Sequence, residues 1–290
     1  MLKQRHSKGV TARGAMRVRG REFRWGERTY VMGIVNVTPD SFSGDGVLET
    51  DAALTRAVMQ HELSSDILDV GAESTRPGYR TVDEATESER LLPVVRGIRE
   101  RVPTAVISAD TYKPAVFRAA HAAGADILNS VWGMPDALLD VAASCGVPIV
   151  VMHNKDEARY DGDVVDEVLA FLDEAARRAT RAGIPAESVI LDPGIGFGKT
   201  AEHNIAVFRA LDRLVALGFP TLVGTSRKST IGKLTGRAAH ERAFGTAATV
   251  ALSVAAGIDI VRVHDVAEMR DVVSVSDALE RGWRPADWIG

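Results

Sequence analysis

What most constrains the fold of this 290-residue chain is a rhythm: short apolar runs, each followed by a polar loop and then by helical periodicity. The runs are Val31–Val35, Ile67–Gly71, Ala105–Asp110, Asp126–Asn129, Pro148–Met152, Val189–Asp192, Pro220–Gly224 and Ile258–Val263. They are continuously apolar rather than alternating, so both faces should be buried, as in an all-parallel sheet. Helical patterns follow near 49–63, 83–101, 114–123, 136–144, 163–182, 202–217, 241–256 and 266–279. Eight strand–helix units in roughly 250 residues is the arithmetic of an α/β chain folded as a (β/α)8 barrel. A doubly wound open sheet is the rival arrangement. Ahead of the first unit, residues 16–32 alternate and carry turn signals at Gly20 and Gly26-Glu27, which predicts an N-terminal β-hairpin.

Composition narrows the function classes. Apolar residues make up 46% and charged residues 26%, the balance of a globular protein with a sizeable core. A net charge of −4 argues against a protein that works by neutralising nucleic-acid phosphates. Cys145 is the single cysteine, which excludes an internal disulfide, fits a reducing compartment and reads as a small buried apolar residue. No apolar run reaches the length of a membrane span. The N-terminus is basic but has no apolar segment of the secretory kind, and together these features point to the cytoplasm. Residues 1–14 read as a disordered basic tail, although their lack of acids also suits an organelle-targeting peptide, and residues 15–290 as one domain.

The unusual polar residues gather at the C-terminal ends of the runs: Asn36, the 73–76 loop, Asp110, Asn129, His153, Asp192, the 226–229 segment, and Arg262 with His264. In a barrel these ends converge on one mouth, where such enzymes keep their chemistry. Asn36, Arg262 and His264 lie on the first and eighth runs, neighbours in a closed barrel, and suit a phosphate-like anion. A lone Asn beside phosphate oxygens is a ligand set that magnesium accepts. Asp110, Asn129, Asp192 and Lys228 supply acceptors and donors for a flat polar ligand such as an aminopyrimidinone. The segment DPGIGFGKT, residues 192–200, has the strand–loop–helix context of a phosphate loop but not its glycine spacing, since Pro193 stands where a glycine is needed. Its glycines more simply let the backbone turn and place Phe197 over the mouth.

Seven stretches in order, GIVNVTPDSFSGDG, GAESTRPG, ADTYKP, PIVVMHN, LDPGIGFGKT, GTSRKSTIG and VRVHDV, make the chain similar to the dihydropteroate synthase family from about Met16 onward. The resemblance implies a (β/α)8 transferase that joins 6-hydroxymethyl-7,8-dihydropterin diphosphate to 4-aminobenzoate in folate synthesis, releasing diphosphate. By match, Asp110, Asn129, Met152, Asp192, Lys228 and Arg262 would hold the pterin. Asn36, Thr75, Arg262 and His264 would hold the diphosphate, with Mg2+ on Asn36. Asp40 and Phe42 on the first loop, and Arg76 and Pro77 on the second, would close over the site. Phe42, Pro77, Phe197, Lys228 and Ser229 would line the 4-aminobenzoate pocket, where sulfonamides should compete. Asp110, Lys228, Arg262, Asp40 and Arg76 are the residues the match makes catalytic, and family members usually form homodimers.

Five positions depart from the family pattern: Ser64, Ser65, Ala72, Ala109 and Ser130. Ser130 stands where an acid is usual, next to the expected pterin pocket. Ala109 and Ser130 are what a catalytically silent pterin-binding paralogue would offer. A methyltetrahydrofolate-dependent methyltransferase on a similar barrel would have no use for the STRPG and SRKS segments.

Overall fold

The computed structural model describes residues 13–37, 46–73, 81–285 and 288, with backbone alone for 46–49. The strands are β1 (Ala15–Val18), β2 (Arg21–Arg24), β3 (Tyr30–Asn36), β4 (Ile67–Gly71), β5 (Ile107–Asp110), β6 (Ile127–Ser130), β7 (Ile149–Met152), β8 (Val189–Asp192), β9 (Leu222–Val223) and β10 (Ile260–Val263). The helices are α1 (Gly46–Glu62), α2 (Glu84–Arg101), α3 (Pro114–Ala123), α4 (Asp136–Cys145), α5 (Val164–Arg181), α6 (Ala201–Arg209), α7 (Leu211–Val215), α8 (Ser229–Thr235), α9 (Ala243–Ala255) and α10 (Val266–Glu280). None of the described helices is long and apolar enough to cross a membrane.

β3 to β10 form an eight-stranded parallel sheet in the order β8-β7-β6-β5-β4-β3-β10-β9. A bridge between Leu191 and Thr221, with the Leu191 amide donating to the Pro220 carbonyl at 2.8 Å, closes it into a barrel. The open-sheet alternative is thereby excluded.

Strand parity sorts the side chains. Outward positions such as Val35, Val70, Ala109, Val151 and Leu191 pack on the helices in one extensive core. Inward positions form layers. The lowest layer is Met32, Ile67, Val106, Ile127, Val150, Ile190, Leu222 and Ile260, all fully buried. The hairpin β1–β2 turns at Arg19-Gly20, both with positive φ, and packs Met16, Val18 and Phe23 against that layer with Trp25 and Tyr30. Its edges are tied to the N-terminal ends of the strands. Arg19 pairs with Asp126 at 2.8 Å, Arg21 with Asp66 at 3.1 Å, and the Trp25 indole donates to the Glu187 carbonyl at 2.8 Å. The floor of the barrel is therefore solid. Of the expected basic tail, residues 13 and 14 are described, and Arg13 is anchored on Asp259 at 2.6 Å; residues 1–12 lie outside the described residues.

The structure differs from the sequence expectation in two places. The helix foreseen over 202–217 is two, divided at Ala210, whose φ of −110° and ψ of 21° leave helical geometry; Leu211 and Leu214 are buried beyond the break. The stretch between the seventh run and the helix expected from 241, to which no helix was assigned, contains α8. Gly232 hides this helix in a propensity reading. A Cβ there would meet the Arg242 guanidinium at 2.2 Å, so any other residue would displace that side chain from the Arg227 and Arg237 carbonyls.

Candidate active site

Above the apolar floor the interior turns polar within one layer. Two residues on along each strand from the floor come Asp69, Ser108, Asn129, Met152, Asp192 and Arg262; another step brings Asn36, Asp110 and His264 to the rim. The period of two thus carries one side chain per strand from oil to chemistry.

Asp69 is the hub of the polar layer. It is fully buried and accepts from Ser108 Oγ at 2.6 Å, from Asn129 Nδ2 at 3.2 Å and from Arg262 Nε at 2.6 Å. Arg262 reaches on to Asp110 at 3.0 Å. Its guanidinium is therefore held between a carboxylate of the polar layer and one at the rim. Burial works against its charge, but Asp69 and Asp110 more than offset this and raise its pKa. Asp69 escaped the sequence reading because it lies inside an apolar run. The signal available was its spacing, two residues after Ile67 and on the same face.

The acids are under electrostatic load. Burial first, and the Asp69 carboxylate second, push Asp110 up to about 7 against the pull of Arg262. Burial pushes Asp192 up to about 6, opposed by the Gly194 amide, which donates to it at 2.8 Å, and then by Lys228 and Arg262. Asp192 and Arg262 lie in the same inward layer, and each responds to the other's charge. Asn129, Met152 and Asp192 are all nearly buried. This constellation of acceptors and cations around a shared hollow is what a flat, donor-rich heterocycle requires; without such a ligand its desolvation is costly.

The glycine loop forms one wall. Gly194 has φ of +68°, and a Cβ there would lie 1.9 Å from the His153 carbonyl oxygen, so no other residue fits. Lys199 pins the loop: its Nζ donates to the Gly194 and Phe197 carbonyls, both at 3.1 Å, and lies 2.9 Å from His153 Nδ1. Burial drives Lys199 down to about 7, and burial followed by Lys199 drives His153 down to about 3, so His153 is neutral. The pinned loop holds Phe197 under Lys228, whose Nζ sits 3.9 Å from the ring centroid. Lys228 is the residue before α8 and exposed Ser229 begins it. His264 Nδ1 lies 3.0 Å from Ser226 Oγ, which fixes the imidazole. Asn36 is exposed at the end of β3.

Asp40, Phe42, Thr75, Arg76 and Pro77 lie outside the described residues. The root of the second loop is visible. Glu73 bonds the Tyr112 hydroxyl at 2.9 Å and the Lys113 ammonium, which also holds buried Glu87. The departures from the family pattern fall away from the cavity. Ala109 is in the outer strand–helix core, Ser130 alternates with Asn129 and is fully buried, and Ala72 has no positive φ.

Comparison with known proteins agrees with this geometry. The Pterin binding enzyme family matches residues 32–264. A dihydropteroate synthase of Clostridium beijerinckii is 42% identical over 270 residues, covering 92% of this chain and all of that protein. A Xanthomonas albilineans dihydropteroate synthase structure with 4-aminobenzoic acid superposes with a TM-score of 0.87 at 41% identity, covering 93% of this chain and 99% of that one. A Clostridium difficile dihydropteroate synthase structure in the presence of pteroic acid gives 0.85 at 41% identity, covering 89% and 98%. With a family match over most of its length and relatives above 40% identity end to end, the chain belongs to the dihydropteroate synthase family of pterin-binding enzymes.

Proposed function

We propose that the chain condenses 6-hydroxymethyl-7,8-dihydropterin diphosphate with 4-aminobenzoate to give 7,8-dihydropteroate and diphosphate, a transferase step of folate synthesis. The observation that carries this is the Asp69–Arg262–Asp110 chain, bonded to Asn129 through Asp69 and within electrostatic reach of Asp192. On this reading Asp192, Asn129 and Asp110 accept from the pterin's N–H groups, Met152 packs on its ring, and Arg262 lies along its face. The bond from the exocyclic methylene carbon to the diphosphate oxygen breaks first, and its electron pair leaves with diphosphate. The cation left on the dihydropterin is spread over the ring and stabilised by the surrounding carboxylates. The 4-aminobenzoate nitrogen then adds to the methylene carbon and loses a proton. Its pocket is formed by Phe197, Lys228 and Ser229, with Phe42 and Pro77 from the first and second loops; sulfonamides compete there.

Asn36, Thr75, Arg262 and His264 receive the diphosphate at the rim. Among the described residues no three His, Cys, Asp or Glu side chains gather to hold a metal, whereas Asn36 offers a single exposed oxygen at the rim. That suits Mg2+, which keeps several waters and binds through few protein oxygens plus phosphate. When bound, Mg2+ supplies charge neutralisation of the leaving group. Asp40 and Arg76 complete the site from the loops by excluding water from the cation. Phe244, Leu252, Val275 and Leu279, exposed on α9 and α10, support a homodimer through that side.

The test is a coupled assay of diphosphate release. Release should need both substrates, and Lys228→Ala and Asp192→Asn should each lower kcat/KM by roughly a hundred-fold or more. A folded protein inert with both authentic substrates overturns the reading.

A further inference from the structure

At the end of the barrel opposite the mouth lies a cleft of about 490 Å3. β2, the turn into β3, the end of α1, and α10 with the chain beyond it form its walls. Three guanidiniums line it, those of Arg21, Arg28 and Arg270, and all three bond one carboxylate, Asp66. Asp66 is 4% exposed and also accepts from the Val31 amide at 2.9 Å. Burial pushes its pKa up, but Arg270 and Arg28 more than offset this and hold it below the ordinary carboxylate value.

One buried carboxylate needs one cation, and here it has three. The other acid in the wall, Asp277, accepts from the Thr29 amide and hydroxyl at 2.6 and 2.9 Å and pairs with Arg281. The Asp277 charge also acts on Arg28, so in this wall three guanidiniums face two carboxylates, one of which is already paired with Arg281. Arg270 Nε is buried and has no acceptor, a state that buried donors rarely keep. Arg28 is held in place by stacking 4.1 Å over the Tyr30 ring. His61, also in the wall, has its pKa lowered by burial and then by Arg21, as expected beside unneutralised positive charge. Trp283 supplies an apolar wall.

We propose that this cleft binds a small organic phosphate, its dianionic head on Arg21, Arg28 and Arg270 and its body against Trp283. Three planar forks converging from separate elements match phosphate oxygens better than a single carboxylate does. The cleft lies at the strand N-termini, away from the reaction proposed at the mouth, and does not rest on it.

The test is NMR titration of 15N-labelled protein in phosphate-free buffer with adenosine 5′-monophosphate and, separately, inorganic phosphate. The Trp283 indole resonance is identified by its loss in Trp283→Phe. A saturable shift of that resonance is expected, weakened about ten-fold or more in Arg21→Ala. Arg21 is the most exposed of the three, and Arg28 and Arg270 keep Asp66 paired without it, so an unchanged Tm is expected. Arg21→Lys should recover part of the affinity. A response to the nucleotide alone, or stronger than to phosphate, supports the organic phosphate. An equal response to both narrows the site to the anionic head and overturns the role given to Trp283. No shift in the wild type with either anion, or a shift indifferent to Arg21→Ala, overturns the site.

Discussion

Asp69 touches three neighbours that the chemistry needs in place, and it does so from a position that substrate need not reach. Asp69→Asn keeps the shape but removes the charge that holds Arg262 and one of the acceptor oxygens that Ser108, Asn129 and Arg262 share. We expect kcat/KM to fall by about a hundred-fold, the scale of a misplaced site group, measured with both substrates at saturation of the partner. The same change has a second readout. Asp69's charge is part of what raises Asp110 to about 7. An ionised Asp110 stabilises the pterin cation, so activity should fall as pH drops below about 7, by roughly ten-fold per unit for one proton. Asp192, at about 6, adds a second proton below that and steepens the fall. Asp69→Asn removes a repulsion that favours protonation, so the residual activity's acid limb should move to lower pH. A limb that stays put would mean that Asp110 does not control it.

Helix α1 ends in a motif that its sequence disguises. The Ser65 amide donates to the Gln60 carbonyl at 3.0 Å and the Ser64 amide to His61 at 2.9 Å, with Ser64 at φ of 64°. This is the paired-bond helix stop in which glycine is the preferred residue at the left-handed position. Serine pays steric strain there. Ser64→Gly should therefore stabilise the fold by roughly 0.5–1 kcal/mol after the extra chain entropy of glycine, read as a rise in urea midpoint at constant m. The element boundaries elsewhere were legible because each rests on local chemistry: Asp83 and Asp163 accept from first-turn amides of α2 and α5, and Gly124 and Gly146 close α3 and α4 with positive φ. α8 and the break at Ala210 were not, since the contact with Arg242 and the burial of Leu211 and Leu214 exist only once distant segments have packed. The candidate site shows the same division. Residues at run ends, such as Asp110, Asn129 and Asp192, stand out against apolar neighbours. Asp69, whose one signal was its spacing from Ile67, and Lys199 act through hydrogen bonds to other strands and loops that sequence alone does not announce.

On the scale of the whole molecule the barrel is a graded stack: aromatic hairpin, apolar floor, charged layer, rim. The hairpin carries much of the lower half. Phe23 is 1% exposed and lies 4.9 Å from the Tyr30 ring and 6.0 Å from Trp25. Phe23→Ala should cost about 3–5 kcal/mol, visible by calorimetry as a Tm lowered by several degrees, with KM for both substrates little changed because the cavity lies above the floor layer. A large rise in pterin KM instead would show that the floor yields and the layers are coupled.

A solid floor closes the lower end of the barrel among the described residues, so ligands should reach the polar layer from the rim. On the proposed reaction, whatever sits deepest has to be lowered in first and lifted out last: the bicyclic reactant should enter ahead of the arylamine, a sequence that product-inhibition kinetics would read.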